Sequence, residues 1–174
     1  AQRFDIVTSG ETLSKEELRK ICEAISEIKD KVEIEMCASL GSLDEKDFLL
    51  LKQAGLSRYH HNIETSPRYF SQIVTTHTFQ ERINTIKAAK GAGLEVCSGG
   101  IIGMGESWQD RIEMALLLKG LDVDSVPINI LVAIKGTPLE TLRQLSPVDA
   151  IKAIAIFRII LKDKIIKIAA GRES

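Results

Sequence analysis

From Arg3 onward, short apolar runs alternate with segments patterned as helices, and few folds accept that rhythm. The pattern predicts strands over Arg3–Thr8, Val32–Ala38, Ser57–Ile63, Leu94–Ser98, Ser125–Val132 and Ile165–Ala170. The first helix opens at Ser14, with Glu17 completing a capping box, and carries Leu18, Ile21, Ile25 and Ile28 as a 3.6-period stripe. Others are predicted over Leu43–Ala54, closed by Gly55, and from Thr78 through Ile83, Ile86 and Ala89 to Gly91. Two more follow over Trp108–Leu118 and Pro147–Leu161, the latter with proline where a missing N–H costs little. Six strands and five helices in βα succession predict an α/β fold with a parallel sheet. Two architectures satisfy it: an open doubly wound sheet, or part of a (β/α)₈ barrel. A complete barrel takes about 250 residues, more than the 174 available. No break in composition marks a second domain, so residues 1–174 are expected to form one.

Composition narrows the function classes. With 44% hydrophobic and 27% charged residues the chain reads as an ordinary globular protein. A formal net charge of -1, with no long Lys/Arg run, points away from nucleic acid and anionic membranes. No apolar run is long enough for a transmembrane helix, and the first residues do not read as a secretory signal. Three widely spaced cysteines, Cys22, Cys37 and Cys97, argue against a disulfide framework and for a reducing, cytoplasmic setting. No CxxC or CxxxCxxC spacing occurs, so a metal cluster would draw its ligands from distant segments.

The unusual residues gather where ligands bind in parallel α/β folds, at the C-terminal ends of strands. Cys37 ends the second predicted strand; His60, His61, Asn62 and Glu64 end the third; Cys97 and the run Gly99–Glu106 end the fourth. Asn129 lies inside the fifth and Lys167 inside the sixth. Buried parallel strands are normally continuous apolar runs, so each of these residues carries a cost that plain structure does not require. Bland readings stand beside the functional ones. Cys37 and Cys97 are either small apolar filler or thiolate ligands, and Cys22 sits on an apolar helix stripe. Asn129 is either a satisfied core amide or a ligand contact. His60 and His61 alternate in direction, so at most one faces inward. Lys167 can run its stem to solvent, and Arg82 on a helix surface is ordinarily a solvated charge. The glycine run suggests close backbone approach to a ligand, although it does not match the dinucleotide fingerprint.

Five blocks carry a resemblance to a known family: Tyr59–Pro67 (YHHNIETSP), Thr75–Arg82 (TTHTFQER), Val96–Glu106 (VCSGGIIGMGE), Val126–Leu131 with Lys135–Leu139, and Ala169–Glu173 (AAGRE). In order and spacing they resemble the biotin synthases, a family of radical S-adenosylmethionine (AdoMet) enzymes, and together they span nearly the whole chain. The resemblance implies a partial (β/α)₈ barrel, strands two to seven, with helices outside. It also implies a chemistry in which a 4Fe-4S cluster splits AdoMet. The 5′-deoxyadenosyl radical then takes hydrogen from dethiobiotin, and an auxiliary iron–sulfur cluster supplies the inserted sulfur. Shielding such a radical suits a barrel interior.

By the same resemblance Cys37 and Cys97 match auxiliary-cluster ligands, and thiolates are the usual donors. Asn62 and Asn129 match the two amides that hold the ureido ring of dethiobiotin. Glu64 matches a carboxylate on the AdoMet ribose, Arg82 an arginine near the methionyl carboxylate, and Ile101 and Val132 residues beside the adenine. His60 stands where the family has an Asn facing the substrate's acid tail. Lys167 stands in the position of an unusual arginine ligand, and Asp5 in that of a third cysteine. The CxxxCxxC loop of the 4Fe-4S cluster is not among the 174 residues, so the chain is expected to be part of a longer enzyme and not to cleave AdoMet alone. A partial barrel leaves sheet edges, so self-association into a homo-oligomer, or a partner or further segment covering the edges, is expected. Rival expectations are a methylornithine synthase-like or hydrogenase maturase-like enzyme of the same group, and a non-catalytic α/β scaffold.

Overall fold

A computed structural model describes residues 2–10 and 12–171, so Arg172 and Glu173 of the last resembling block lie outside the described residues. Among these residues there are seven strands and six helices, and the paired strands run parallel, in agreement with the predicted α/β class. The chain divides into two compact units.

The first unit comprises residues 1–61 and 80–97. Its strands β1 (Arg3–Val7), β2 (Glu35–Ser39), β3 (Leu56–His60) and β4 (Glu95–Cys97) lie side by side in chain order. Helix α1 (Lys15–Lys31) starts at the expected capping box between Ser14 and Glu17. Helix α2 (Glu45–Gln53) starts two residues later than predicted, because Asp44 accepts the Asp47 N–H and caps it. Val32 belongs to the end of α1, its N–H donating to the Ile28 carbonyl, so β2 begins at Glu35 and not at Val32.

Alternation then sorts the sheet into two faces. Ala38, Tyr59 and Val96 form one buried row across β2, β3 and β4. Tyr59 packs edge-on against Phe48 of α2 at 4.6 Å. Its hydroxyl donates to the Gly41 carbonyl and accepts the Leu40 N–H, so burial leaves no polar atom stranded there.

The second unit comprises residues 62–79 and 98–174. Strand β6 (Ser125–Ile130) lies between β5 (Gly100–Ile102) and β7 (Ile165–Ile168). Ile101 pairs with Asn129, and Pro127 with Lys167. Strand β5 arises inside the predicted glycine run, where three paired residues suffice to make it a ladder. Helix α5 (Trp108–Gly120) opens at a capping box of Ser107 and Asp110 and packs against α6 (Pro147–Leu161), whose limits agree with the prediction. Helix α3 (Pro67–Ile73) was not anticipated, although Ser66 as N-cap followed by Pro67 is a start signal. Helix α4 (Phe79–Gly91) links the two residue sets. Among the described residues no helix is long and apolar enough to cross a membrane.

Candidate functional site

In the second unit the predicted site residues converge on two consecutive peptides, those of Gly99 and Gly100. Strand β3 ends at His60, three residues before the predicted limit, and the chain bends so that Asn62 and Glu64 lie beyond it. The Gly99 N–H donates to Asn62 Oδ1 at 3.1 Å. The Gly99 carbonyl accepts the Ile63 and Glu64 N–H groups at 3.0 and 3.2 Å. The Gly100 carbonyl accepts Asn129 Nδ2 at 3.3 Å. The Ile101 N–H returns to the Glu64 carbonyl at 2.8 Å. Four of the predicted residues, Asn62, Glu64, Ile101 and Asn129, are thus hung on one short backbone segment. Glycine is needed there: a Cβ on Gly99 would overlap the Pro127 carbonyl oxygen, and one on Gly100 the Glu64 carbonyl oxygen. At Gly99 and Gly100 the close approach is one of backbone to backbone.

The backbone also dictates how each amide is turned. A backbone N–H must meet a side-chain oxygen, and a carbonyl must meet an NH₂. Asn62 therefore turns its oxygen to the Gly99 N–H, and its other group, the NH₂, is a donor. Asn129 uses its NH₂ inward, and what it can offer is an acceptor. One donor and one acceptor, on either side of the Gly99–Gly100 segment, suit a group that carries C=O beside N–H.

The turn after β5 is held by groups the sequence reading did not single out. Glu106 accepts the Gly103 N–H at 2.8 Å and the Arg111 Nε–H at 2.6 Å on Oε1, and the Met104 N–H at 2.7 Å on Oε2. Both side chains are buried, at 1% and 7% exposure, so the charges are paired where neither meets water. Tyr69 of α3 donates to the Met104 carbonyl at 2.8 Å. Asp110 accepts from Ser66 at 2.7 Å, from Ser107 at 2.6 Å and from Arg68 at 2.9 Å, joining the caps of α3 and α5. Burial raises the Asp110 pKa, but these hydrogen bonds outweigh it and hold the carboxyl well below its usual range. The i, i+3 spacing of Ser107 and Asp110 was the readable signal; the partners from α3 were not.

Val132 lies two residues beyond β6, half exposed, and lines a cavity of about 370 Å³ with Gln72, Ile73, Leu131, Ile134 and Leu139. Lys167 is exposed on β7 opposite Pro127.

The first unit places Asp5, Cys37, Arg58 and Glu95 in one register row, and His60 beside Cys97 two residues further along. These residues share the face opposite Tyr59. Arg58 donates to Glu95 Oε2 at 2.9 and 2.6 Å, Arg3 reaches Cys37 Sγ at 3.9 Å, and His60 Nε2 lies 3.6 Å from Asp5 Oδ2. Cys37 and Cys97 are both buried, and neither is in a disulfide. Burial pushes the Cys37 thiol pKa up, more than Arg3 lowers it, so the metal-binding thiolate is disfavoured. Strand β3 separates the two cysteine strands, a span of roughly 10 Å. Among the described residues no three His, Cys, Asp or Glu side chains gather to hold a metal ion. The donors of this unit do not make up a cluster's ligand set, and no chemistry is derived through one. Arg82 is half-buried on α4.

The Radical SAM superfamily pattern matches residues 3–118, and that of the Biotin and Thiamin Synthesis associated domain residues 127–174. The biotin synthase of Thermotoga neapolitana is 55% identical over 174 residues, covering 99% of this chain and 62% of the relative. That of Clostridium botulinum (strain Alaska E43) is 54% identical over 170 residues, covering 98% of this chain and 54% of the relative. The chain therefore spans between about half and three fifths of the curated relatives it matches. Among solved structures, methylornithine synthase superposes with a TM-score of 0.82 at 22% identity, over 95% of this chain and 49% of that one. The FeFe-hydrogenase maturase of Carboxydothermus hydrogenoformans gives 0.78 at 22% identity, over 95% and 41%. At that identity these two speak for the fold alone, and the fold is the α/β barrel type of the radical AdoMet enzymes. With the superfamily pattern covering both the parallel strands of the first unit and the glycine segment of the second, the chain belongs to the Radical SAM superfamily.

Proposed function

We infer that this chain carries the substrate-reading part of a biotin synthase, the enzyme that inserts sulfur into dethiobiotin. One observation carries the reading: the Gly99 N–H and Gly100 carbonyl turn Asn62 to present a donor and Asn129 to present an acceptor. A ureido group needs that pair, a donor for its carbonyl and an acceptor for its N–H. The identity of 50–55% with biotin synthases along the chain supports it. In this reading Glu64 takes the ribose of AdoMet, Ile101 and Val132 flank the adenine, Arg82 meets the methionyl carboxylate, and His60 faces the acid tail of the substrate. Cys37, Cys97 and Lys167 stand where the family has auxiliary-cluster ligands, but no such role is assigned to them here, because the donors of the first unit do not make up a cluster's ligand set. AdoMet bound to a 4Fe-4S cluster would supply the radical, and the residues named here would bind, orient and exclude water. A reducing, cytoplasmic setting and self-association belong to the same reading.

The test is biotin formation by the intact protein expressed from its own gene, after anaerobic iron–sulfide reconstitution, with AdoMet, reductant and dethiobiotin. Biotin is expected from the wild type, and at least about tenfold less from Asn129→Ala. Production of 5′-deoxyadenosine without biotin, unchanged by dethiobiotin, would overturn the reading in favour of another radical AdoMet reaction.

A further inference from the structure

Glu64 is a non-glycine residue with φ +67°, in the left-handed region that a side chain ordinarily avoids. Its backbone hydrogen bonds run to the residues on either side of Gly100, which leaves room for it. Glu64 and Gly100 form an isolated parallel bridge, with the Glu64 N–H on the Gly99 carbonyl at 3.2 Å and the Ile101 N–H on the Glu64 carbonyl at 2.8 Å. A Cβ on Gly100 would overlap the Glu64 carbonyl oxygen and lie 2.7 Å from both its carbon and Met114 Sδ. Such approaches require something to move, and backbone moves less readily than the end of a methionine. Glu64 and Ile101 are thus tied at a single spacing through a residue that has no side chain.

We propose that Gly100 is a positioning residue for the nucleoside half of AdoMet. By admitting the left-handed Glu64 backbone against β5, it sets the Glu64 carboxylate and the Ile101 side chain at the separation that grips ribose and adenine together. The proposal rests on the reading that Glu64 and Ile101 contact AdoMet, and it adds a residue that touches neither ligand.

The experiment measures dissociation constants of the intact protein for AdoMet, 5′-methylthioadenosine and methionine. Gly100→Ala is expected to weaken AdoMet and 5′-methylthioadenosine by about tenfold or more and to leave methionine unchanged. General loosening of the fold would weaken all three alike and would overturn the proposal. Adding Met114→Ala removes only the contact with α5, so it is expected not to restore binding; restoration would show that helix packing, and not Glu64, sets the constraint. Glu64→Gln separates the proposal from the reading beneath it. Loss of AdoMet affinity with Glu64→Gln but none with Gly100→Ala sinks the proposal alone; no loss with Glu64→Gln sinks both. If Gly100→Ala does not fold, Glu64→Asn and Glu64→Thr give the answer. Both remove the carboxylate, but only Asn tolerates positive φ, so Thr is expected to weaken 5′-methylthioadenosine further, and equal losses would refute the proposal.

Discussion

At the scale of single residues, the two asparagines stood out in the sequence because an amide inside or just beyond a parallel strand is costly. Their polarity was not legible. It depends on which backbone group each meets, and those groups lie 37 and 29 residues away in the chain. Asn62→Asp isolates the point. The carboxylate still accepts the Gly99 N–H, but the donor that the proposed function assigns to a ureido carbonyl is gone. Dethiobiotin binding by the intact protein is expected to fall at least about tenfold. An affinity within a factor of two of the wild type, by calorimetry, would count against the assigned polarity. Cys37 shows the converse limit. Its type suggested a ligand, whereas its thiol pKa depends on burial and on Arg3, 34 residues away, which only the folded sheet brings near.

At the scale of elements, the helices that start at Ser14 and Pro147 were read correctly because their caps are local. Helix α3 escaped because seven residues are too few to establish a 3.6-residue period, although Ser66-Pro67 announces it. Strand β5 escaped because glycine is a poor strand former, and its pairing with β6 decides the matter. Two carboxylates stabilise this region in ways that can be measured. Glu106→Ala leaves Arg111 buried without its partner and frees two backbone N–H groups, so unfolding free energy is expected to drop by about 3–5 kcal/mol. A denaturant titration showing less than about 1 kcal/mol would mean that water reaches the pair.

Asp110 links stability to pH. Its folded pKa lies below the ordinary 3.8, so its contribution is complete above that value and is lost as pH falls through the lowered one. The stability difference between wild type and Asp110→Asn is expected to be flat from about pH 5 to 8 and to shrink below about pH 4. A difference that instead grows as pH falls would show that the carboxylate is not the stabilised form.

At the scale of the whole molecule, the βα rhythm identified the parallel α/β class, since strand and helix periods are local properties. The meeting of Asn62, Glu64, Ile101 and Asn129 on the Gly99–Gly100 segment was not readable in the same way. It needs the return of the chain after β3 and the pairing of β5 with β6. The five resembling blocks pointed to the same residues without saying why they must be adjacent; the peptide hydrogen bonds supply the reason. The central claim is that Asn129 accepts a ureido N–H from dethiobiotin while Asn62 donates to its carbonyl. The most direct measurement is a double-mutant cycle on the intact protein, pairing Asn129→Ala with dethiobiotin methylated at each ureido nitrogen in turn. For one of the two nitrogens the losses are predicted to be non-additive, with a coupling of about 1 kcal/mol or more; additive losses at both would contradict the account.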